Sequence, residues 1–484
     1  MNIHNFAPTI LRAYDIRGIY QDTLTEADAY AIGMAFIACL RDRGHGVTVA
    51  VGRDGRLSSP ALAAALIDGL VKAGGNVLDI GCGPTPMLYF AGVTLQCDGA
   101  IQVTGSHNPP THNGFKMVMN GRSFFGDDIQ QLGAMSAAGV IPVDGGKLTQ
   151  TAVFDAYVNR LLQQADAGDL SVVWDCGNGA AGPATTAIAE KLSGTHQVLF
   201  ADIDGHFPNH HPNPVDPATL DILRRAVAES GAAIGIGFDG DGDRIGVIDA
   251  KGRQVPGDFL TAYLAQDILQ RKPNTPVILD VKSSDMALDL IKNAGGDPQI
   301  WKTGHSHMKK RMAEINAPIA GEMSGHIFIA DDFYGYDDAL YVATRVISQM
   351  VRTGQSITDF VDTLPDQHAT PELHIACSDT KKFPLMKRLS AFAKTHYDLK
   401  DLTLIDGVQV RTIDGWWLVR ASNTEAALVV RAEGTSVDAL DRLVGCGWGV
   451  ANRHRQRQQR AGRCQPVCRL YRRASDPNIS DPDQ

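Results

Sequence analysis

GVTVAVGRDGRLSSPALAAALIDGLVKAGG, residues 46–75, begins as a short apolar run, passes through a polar loop and continues with helical periodicity to two glycines. This order of features predicts a strand, a loop and a helix. The same order recurs in further segments: 98–106, 170–184, 234–244, 276–285 and 298–310. Strands alternating with helices indicate an α/β fold whose ligands gather at the carboxyl ends of the strands.

The length of 484 residues predicts three or four domains at about 150 residues each. From about residue 366 the pattern changes to short strand-like runs around one helical stretch, KFPLMKRLSAFAKTH, which predicts a small α+β domain. The predicted segments are 1–150, 151–253, 254–365 and 366–445, followed by an atypical tail at 446–484. Residues 451–484 hold eight arginines, three aspartates and no lysine or glutamate, and we expect this tail to be disordered or frameshift-like.

Composition narrows the possible functions. A net charge of −9 argues against a general nucleic-acid binder. No apolar run approaches the ~20 residues of a membrane span, and the N-terminus does not resemble a signal peptide. The eight cysteines are scattered, which suits free thiols in a reducing cytoplasm. An acidic chain can bind an anionic substrate only where its cations are concentrated locally.

The first chemical motif is TGSHNPPTHNGFKM, residues 104–117. Ser106 follows a predicted strand, next to His107, in a loop that glycine and proline keep irregular. An exposed serine here could act as a nucleophile or phosphate carrier, with Lys116 as a nearby cation. A polar turn without function is the alternative for this segment taken alone.

The second motif is FDGDGDRIGVID, residues 238–249, in which Asp239, Asp241 and Asp243 alternate with glycine directly after an apolar strand. Three carboxylates this close repel one another, and a bound cation relieves the repulsion. Calcium-loop spacing fails because Arg244 and Ala250 occupy positions six and twelve. A few oxygen ligands completed by a phosphate are typical of Mg²⁺.

Two further motifs carry groups that suit a sugar phosphate. GEMSGH, residues 321–326, offers Glu322, Ser324 and His326, which can accept from or donate to sugar hydroxyls. RASNTEAALVVRAEGT, residues 420–435, offers a guanidinium, hydroxyls and loop N–H groups suited to a phosphate dianion: Arg420, Ser422, Asn423 and Thr424. A structural histidine and a polar hairpin loop are the respective alternatives. Isolated arginines such as Arg53 and Arg56 are expected on a solvated surface.

Together these segments resemble the α-D-phosphohexomutase family, which has YDIRG, TGSHNP, DGDGDR, GEMSGH and RxSNT in this order, here between about residues 10 and 435. GEMSGH and WKTGHS resemble its phosphomannomutase/phosphoglucomutase branch more than the phosphoglucosamine mutases. The resemblance implies three similar mixed-sheet α/β domains and a C-terminal α+β domain similar to the TATA-binding-protein fold, arranged around a central cleft. It departs at Ala426, where the family usually has proline.

The resemblance also implies residue roles. Ser106 would carry the phosphate, with His107 and Lys116 beside it, and a phosphoserine oxygen would join the three aspartates around Mg²⁺. Glu322 and Ser324 would bind the sugar's O3 and O4. Arg420, Ser422, Asn423 and Thr424 would bind the phosphate that is not reacting. The remaining expected substrate contacts are Tyr14, Arg17, Lys282, His305 and His326.

The reaction implied is transfer of phosphate between O1 and O6 of a hexose through a hexose 1,6-bisphosphate. Arg244 or Lys116 would neutralise the transferring group, and Lys116 or His326 would be the general base. Three alternatives remain open: a phosphoglucosamine mutase, a sugar phosphatase with the same phosphoserine and metal, and a non-catalytic sugar-phosphate sensor. The sequence does not decide between mannose and glucose, and we expect a monomer or weak dimer.

Overall fold

The computed structural model describes residues 1–423 and 425–444, so Thr424 and the predicted tail lie outside the described residues. The chain forms two compact units. One comprises Met1–Ile300 and Gly304–Thr363, and the other comprises Trp301–Thr303 with the described residues from Leu364 onward. The described strands form four sheets, which follow one another along the chain.

The first sheet combines parallel and antiparallel pairing. Its seven strands are β1 (Ile16–Ile19), β2 (Thr48–Arg53), β3 (Asn76–Cys82), β4 (Gly99–Val103), β5 (His112–Met119), β6 (Arg122–Ser123) and β7 (Lys147–Gln150). The order is β1-β5-β4-β2-β3-β7, with β6 on β5. Strands β2, β3, β4 and β7 pair in parallel, whereas β5 is antiparallel to β4 and β1.

Four helices cover this sheet: α1 (Glu26–Asp42), α2 (Ser59–Lys72), α3 (Thr85–Thr94) and α4 (Asp127–Ala138). Helix α1 begins at a capping box, because the Thr25 side chain accepts from the N–H of Asp28 and the Asp28 carboxylate accepts from the N–H of Thr25. Helices α1 and α2 approach closely at Gly33, where a Cβ would lie 2.4 Å from the carbonyl oxygen of Leu66. Glycine is therefore required for this packing.

The second sheet has five strands in the order β12-β11-β10-β8-β9. They are β8 (Ser171–Asp175), β9 (Thr195–Leu199), β10 (Ile234–Phe238), β11 (Ile245–Asp249) and β12 (Gln254–Val255). Its helices are α5 (Phe154–Leu162), α6 (Gly182–Ala189) and α7 (Asp221–Ser230). Strand β10 is parallel to β8 and antiparallel to β11, so the aspartate motif forms the tight connection from β10 to β11.

The third sheet has four strands in the order β14-β13-β15-β16. They are β13 (Pro276–Asp280), β14 (Asp297–Trp301), β15 (Ile319–Gly321) and β16 (Ile327–Ile329). The accompanying helices are α8 (Gly257–Arg271), α9 (Asp285–Asn293), α10 (His305–Ile315), α11 (Ala339–Thr353) and α12 (Ile357–Asp362). The GEMSGH motif connects β15 to the antiparallel β16.

The fourth sheet is antiparallel throughout, in the order β17-β22-β21-β20-β19 with β18 on β22. Its strands are β17 (His368–Ala369), β18 (Leu373–Ala376), β19 (Leu402–Thr403), β20 (Val408–Thr412), β21 (Gly415–Ala421) and β22 (Ala427–Gly434). Helices α13 (Asp379–His396) and α14 (Val437–Val444) accompany it, with a 3₁₀ turn at Leu399–Asp401. The core of this domain includes Leu389, Val410 and Trp417.

The predicted fold class is confirmed: α/β domains with mixed sheets precede an α+β domain. Residues 46–75 contain β2 and α2, and residues 382–396 lie within α13. No helix of the described residues is long and apolar enough to cross a membrane.

Asp338 joins two helices of the first unit at a buried position. Its carboxylate caps α11 by accepting from the N–H of Tyr341 at 2.9 Å, and it accepts from the Tyr157 hydroxyl of α5 at 3.0 Å. Burial raises the pKa of Asp338 to about 7. The folded protein therefore keeps a proton between about pH 4 and 7 that the unfolded chain releases, so stability falls as pH rises through this range.

We expect Asp338→Asn to unfold at a higher urea concentration than the wild type at pH 8, because the amide accepts from Tyr341 without ionising. The gain is up to about 4 kcal/mol and disappears near pH 4. Urea unfolding at pH 4, 6 and 8 measures it, with exposed Asp144→Asn as the control. A difference that is the same at pH 4 and pH 8 would contradict the role of ionisation.

Candidate active site

Three buried aspartates and one buried lysine form the centre of the site. Asp239, Asp241 and Asp243 lie between β10 and β11 and are fully buried. Lys116 of β5 reaches them from the first sheet, with its Nζ 2.7 Å from Asp241 Oδ2 and 2.5 Å from Asp243 Oδ2. Thr85, at the start of α3, donates to Asp241 Oδ2 at 2.5 Å. The two domains are therefore joined through charged groups removed from water.

The pKa values of these groups reflect burial and mutual charge. Burial raises the pKa of Asp239 well above its usual value, and the charges of Asp241 and Asp243 raise it further. Burial opposes ionisation of Asp241 as well, but the Lys116 ammonium outweighs it and the net pKa of Asp241 is lowered. Burial likewise disfavours the Lys116 cation, yet the neighbouring carboxylates leave its pKa raised. One ammonium thus stabilises Asp241 but leaves Asp239 short of positive charge.

The aspartates fit a hard divalent cation. One oxygen from each of the three lies within 4.8 Å of the others. Asp241 Oδ1 and Asp243 Oδ1 are buried and have no hydrogen-bond partner. Buried carboxylate oxygens without partners are costly unless a cation or donor satisfies them. The donor set consists of oxygens, as Mg²⁺ prefers.

Ser106 lies against this cluster in an unusual backbone conformation. Its Oγ donates to Asp239 Oδ2 at 2.8 Å, and His107 Nδ1 lies 3.2 Å from the same oxygen of Ser106. Ser106 has φ of +49°, in the left-handed region, where non-glycine residues are uncommon. It is 1% exposed, so the expectation of an exposed serine is wrong. The residue is buried because the aspartate loop of the second sheet covers it.

Arg56 holds the loop that carries Ser106. This arginine is 1% exposed, contrary to the expected surface position. Its guanidinium donates to four carbonyl oxygens of the loop, those of Ser106 (2.6 Å), Asn108 (2.6 Å), Pro109 (2.7 Å) and His112 (3.0 Å). Pro109 and Pro110 have no N–H groups and so reduce the number of donors that the loop has, although the N–H of His112 does donate to the Pro109 carbonyl at 2.9 Å. Arg56 supplies further donors from outside the loop.

His326 connects the third sheet to the aspartate loop. Arg244 Nε donates to His326 Nε2 at 2.9 Å, which requires that nitrogen to be unprotonated. The ring proton of neutral His326 therefore lies on Nδ1, which is 3.1 Å from Asp337 Oδ2 and 3.7 Å from Asp243 Oδ1. His326, Asp337 and Asp243 are all buried. The two acids thus place negative charge beside Nδ1, without a hydrogen bond to it.

Asp337 is surrounded by basic groups. Lys309 Nζ lies 2.9 Å from its Oδ1, and His305 Nδ1 lies 3.5 Å from its Oδ2. Burial alone would raise the pKa of Asp337, but Lys309 and His305 leave it well below the usual range. Burial, and then Lys309, lower the pKa of His305 to about 4. Asp337 therefore stays ionised beside two histidines.

The predicted sugar-binding residues also lie together. Glu322 Oε1 accepts from the N–H of Gly304 at 3.0 Å, and Oε2 accepts from the Ser324 hydroxyl at 3.0 Å. Burial raises the pKa of Glu322. Lys282 is buried, with its Nζ 3.6 Å from Asp280 Oδ2. This part of the third domain offers both acceptors and donors.

Arg17 and Tyr14 belong to the first domain. Arg17 donates to Asn108 Oδ1 at 2.7 Å and to Asp15 Oδ2 at 2.5 Å. Burial opposes the Arg17 charge, but Asp15 leaves its pKa raised. The Tyr14 ring meets His307 of α10 edge-to-face, with the ring centres 5.5 Å apart.

His107, next to Ser106, is a neutral histidine. Burial, and then the charge of Arg244, depress its pKa well below the usual value.

The second unit carries the predicted phosphate loop between β21 and β22. Arg420 is 5% exposed, and its Nε and a terminal nitrogen lie 3.1 Å and 3.0 Å from Asp406 Oδ2. The Ser422 hydroxyl accepts from the N–H of Glu425 at 3.1 Å. Asn423 follows in the same loop, and Thr424 lies outside the described residues.

Sequence reasoning did not single out Asp337, and it treated Arg56 as a surface residue. Asp337 belongs to a YDD run, residues 336–338, directly before α11, where a capping role is the usual explanation for an aspartate. Arg56 comes shortly after the end of β2. This position at a strand end was the feature of the sequence that could have indicated a role beside the serine loop.

Comparisons with known proteins agree with this arrangement. Four successive segments match the descriptions "Phosphoglucomutase/phosphomannomutase, alpha/beta/alpha domain I" (residues 8–138), the same "domain II" (155–252), "domain III" (256–368) and "C-terminal domain" (372–445). The chain is 43% identical to a phosphomannomutase/phosphoglucomutase of Pseudomonas putida over 90% of this chain and 94% of that one.

The chain belongs to the phosphoglucomutase/phosphomannomutase family. It is also 39% identical to a phosphoglucomutase of Neisseria gonorrhoeae, over 90% of this chain and 95% of that one. A crystal structure of a family member from Burkholderia thailandensis superposes with a TM-score of 0.83 at 40% identity, covering 90% of this chain and 95% of that chain. The family resemblance drawn from the sequence motifs is confirmed.

We expect Arg56→Met to destabilise the protein by about 3 kcal/mol, because it leaves Asp54 and four loop carbonyls without their buried partner. An earlier unfolding transition in urea measures this effect. Arg122→Met, which removes an exposed arginine of the same domain, is the control and should change stability by less than about 0.5 kcal/mol. Equal transitions for the two variants would show that the loop does not depend on Arg56.

Proposed function

We propose that this chain interconverts the 1-phosphate and 6-phosphate of glucose and mannose through a phosphoserine at Ser106. The observation that carries the proposal is the 2.8 Å hydrogen bond from Ser106 Oγ to Asp239, inside a buried acidic site that also holds Lys116. Relatives at about 40% identity over 90% of the chain are phosphomannomutase/phosphoglucomutase enzymes. The chain is thus a hexose phosphate mutase, an isomerase.

Ser106 suits the role of phosphate carrier. In the first half-reaction the bond from Ser106 Oγ to phosphorus breaks, and a free hydroxyl of the sugar monophosphate forms the new bond to phosphorus. The product is a hexose 1,6-bisphosphate, and Ser106 leaves as an alkoxide stabilised by nearby positive charge. In the second half-reaction, Ser106 Oγ attacks the other phosphorus of the reoriented bisphosphate, the bond from that phosphorus to the sugar oxygen breaks, and the sugar oxygen takes back the proton released in the first half-reaction. Phosphate is therefore conserved through the cycle.

His326 is the better candidate for the general base. Its Nε2 is the unprotonated ring nitrogen and can take the proton that the attacking hydroxyl releases. The charge of Asp337 beside Nδ1 stabilises the resulting imidazolium. Lys116 is engaged as a cation with two aspartates, which suits it to neutralising charge rather than to accepting a proton. Arg244 would provide further positive charge when it releases His326.

We propose Mg²⁺ as the divalent ion held by Asp239, Asp241 and Asp243, completed by an oxygen of the phosphorylated Ser106. The two buried aspartate oxygens without partners support this assignment. When bound, the ion supplies Lewis-acid stabilisation of negative charge on phosphate oxygens. Hexose 1,6-bisphosphate would act as both intermediate and activator, because it can phosphorylate a serine that has lost its phosphate.

The remaining proposed residues bind and orient the substrate. Glu322 and Ser324 would hold two sugar hydroxyls, and neither group need contact C2, where mannose and glucose differ. This separation supports activity on both sugars. The other proposed contacts from the first unit are Tyr14, Arg17, Lys282, His305 and His326. From the second unit, Arg420, Ser422, Asn423 and Thr424 would hold the phosphate that is not reacting.

Hexose phosphates are the partners that these groups suit, and we propose the cytoplasm as the compartment. The cysteines of the described residues are all free thiols, as a reducing compartment permits.

We expect Ser106→Ala to lose at least 10³-fold in kcat for both glucose 1-phosphate and mannose 1-phosphate, because no group remains to carry the phosphate. A coupled assay for the 6-phosphates, with Mg²⁺ and glucose 1,6-bisphosphate present, measures this loss. Ser230→Ala, at an exposed serine whose hydroxyl donates to the carbonyls of its own helix, is the matched control. Wild-type activity in Ser106→Ala would refute the phosphoserine mechanism. If the wild-type protein releases free phosphate and forms no 6-phosphate, it is a phosphatase instead.

We expect Lys116→Met to make the protein more dependent on Mg²⁺ for its stability. Without the ammonium, three buried carboxylates lack their resident counter-charge and favour a divalent ion more strongly. Thermal unfolding of the unphosphorylated protein with EDTA and with increasing Mg²⁺ should show a larger rise in Tm for the variant than for wild type. Lys147→Met, at an exposed lysine of β7, should respond as wild type does. A smaller rise in Lys116→Met would contradict this electrostatic competition.

A further inference from the structure

Lys309 lies one helical turn after His305 and contacts it. Both residues belong to α10 and stand four positions apart, which places their side chains next to each other on one face of the helix. Lys309 Nζ lies 3.3 Å from His305 Nδ1. The lysine side chain is 14% exposed and the histidine side chain 11% exposed, so water competes little for this contact.

The Lys309 ammonium is also held by two groups from outside α10. It donates to Asp337 Oδ1, just before α11, at 2.9 Å. The ring of Tyr89 in α3 lies against it, with the ring centre 4.3 Å from Nζ, which is a cation–π contact. The three hydrogens of the ammonium therefore have three acceptors: a carboxylate oxygen, a ring nitrogen and an aromatic face. These contacts keep Nζ beside His305.

A lysine ammonium can only donate hydrogen bonds, and this restricts the tautomer of His305. Nδ1 accepts from Lys309 and so carries no hydrogen, which leaves the ring hydrogen of neutral His305 on Nε2. The opposite tautomer would direct an Nδ1–H towards Asp337 Oδ2, which is 3.5 Å away and accepts no hydrogen bond from any described residue. It would also bring that N–H against the hydrogens of the ammonium. The contact with Lys309 therefore favours the hydrogen on Nε2.

The surroundings also keep His305 neutral. Burial, and then Lys309, bring its pKa down to about 4, against the opposing charge of Asp337 and with a further contribution from Lys116. His305 is the first residue of α10, where the helix carries partial positive charge that disfavours an imidazolium. The remaining titratable neighbour is His326, whose ring stacks on that of His305 with the centres 5.6 Å apart. A neutral histidine has one donor nitrogen, and its tautomer decides which one.

We propose that Lys309 is a positioning residue that keeps the ring hydrogen of His305 on Nε2, so that His305 offers a neutral N–H donor to an oxygen of the substrate. The proposal rests on the proposed function in taking His305 as a substrate contact. Lys309 acts through His305. Without the ammonium, an Nδ1–H can turn to Asp337, and Nε2 then presents a lone pair that repels a phosphate or hydroxyl oxygen.

The tautomer of His305 can be measured directly in the whole protein. In wild type labelled with ¹⁵N-histidine, we expect the His305 signals to show an unprotonated Nδ1 and a protonated Nε2 at neutral pH. The spectrum of His305→Gln identifies these signals. Lys309→Met should move the hydrogen to Nδ1, whereas Lys309→Arg keeps a cation that only donates and should retain the wild-type pattern. Lys310→Met, which removes an exposed lysine of the same helix, should also retain it.

Kinetics with glucose 1-phosphate test whether this tautomer matters to the substrate. We expect Lys309→Met to lower kcat/KM by about tenfold or more, because a donor to the substrate is replaced by an acceptor. Glutamine has no tautomers, so in the His305→Gln background Lys309→Met should lower kcat/KM by less than about twofold. Lys309→Arg should stay within about threefold of wild type, and Lys310→Met should equal it.

Two results would overturn the proposal. One is a wild-type His305 whose ring hydrogen lies on Nδ1, a measurement that needs no variant to fold. The other is an equal loss of kcat/KM from Lys309→Met with and without His305→Gln, because Lys309 would then act through Asp337 and not through His305. Failure of the proposed function is recognised separately: wild type would not isomerise glucose 1-phosphate, while the ¹⁵N spectrum would still report the tautomer.

Discussion

Burial of Asp239, Asp241 and Asp243 in one tight connection is the constraint on which the active site depends. Three carboxylates removed from water cannot all ionise without positive charge nearby. Lys116 supplies one charge from the first sheet and thereby joins two domains. One positive charge is too little for three carboxylates, and this shortage is reflected in the raised pKa of Asp239. Asp239 is also the residue that accepts the hydrogen bond from Ser106. The serine is therefore bonded to a carboxylate that has hydrogen-bond donors but whose negative charge is poorly compensated.

This arrangement explains why the serine loop needs support from outside itself. Ser106 has a left-handed backbone, which costs about 1 kcal/mol or more for a residue with a side chain. Such a conformation persists only where the surroundings fix it. Arg56 fixes it through four carbonyls, and Asp54 Oδ2 accepts from the N–H of Gly105 at 3.1 Å. The strain is thus stored where phosphate is proposed to be transferred.

Local patterns in the sequence predicted the elements and the motifs, but not the burial of the groups between them. The apolar run and helical period of residues 46–75 were sufficient to predict β2 and α2. The burial of Ser106 depends on Asp239, which is 133 residues away. Arg56 contacts carbonyls about 50 residues further along, so its neighbours in sequence could not reveal that it is buried.

Asp337 shows a second reason why a functional residue could not be recognised from the sequence alone. Aspartates before a helix usually cap it, and the adjacent Asp338 does cap α11. Only the folded chain brings Asp337 next to His326, Lys309 and His305. Its charge acts on basic groups that come from other elements, and such a placement cannot be inferred from neighbouring positions in the sequence. The sequence motif GEMSGH identified His326 but not the acid that lies beside it.

Arg56 acts on the serine loop from its carbonyl side. Its buried guanidinium is directed to four backbone carbonyls of that loop, whereas the N–H groups of Gly105 and Ser106 have partners of their own, Asp54 Oδ2 and the Thr104 hydroxyl. The arginine therefore fixes the loop without competing with those bonds, and it adds positive charge at short range to a loop that is proposed to carry phosphate. A protein of net charge −9 thereby concentrates cationic charge locally, beside Ser106.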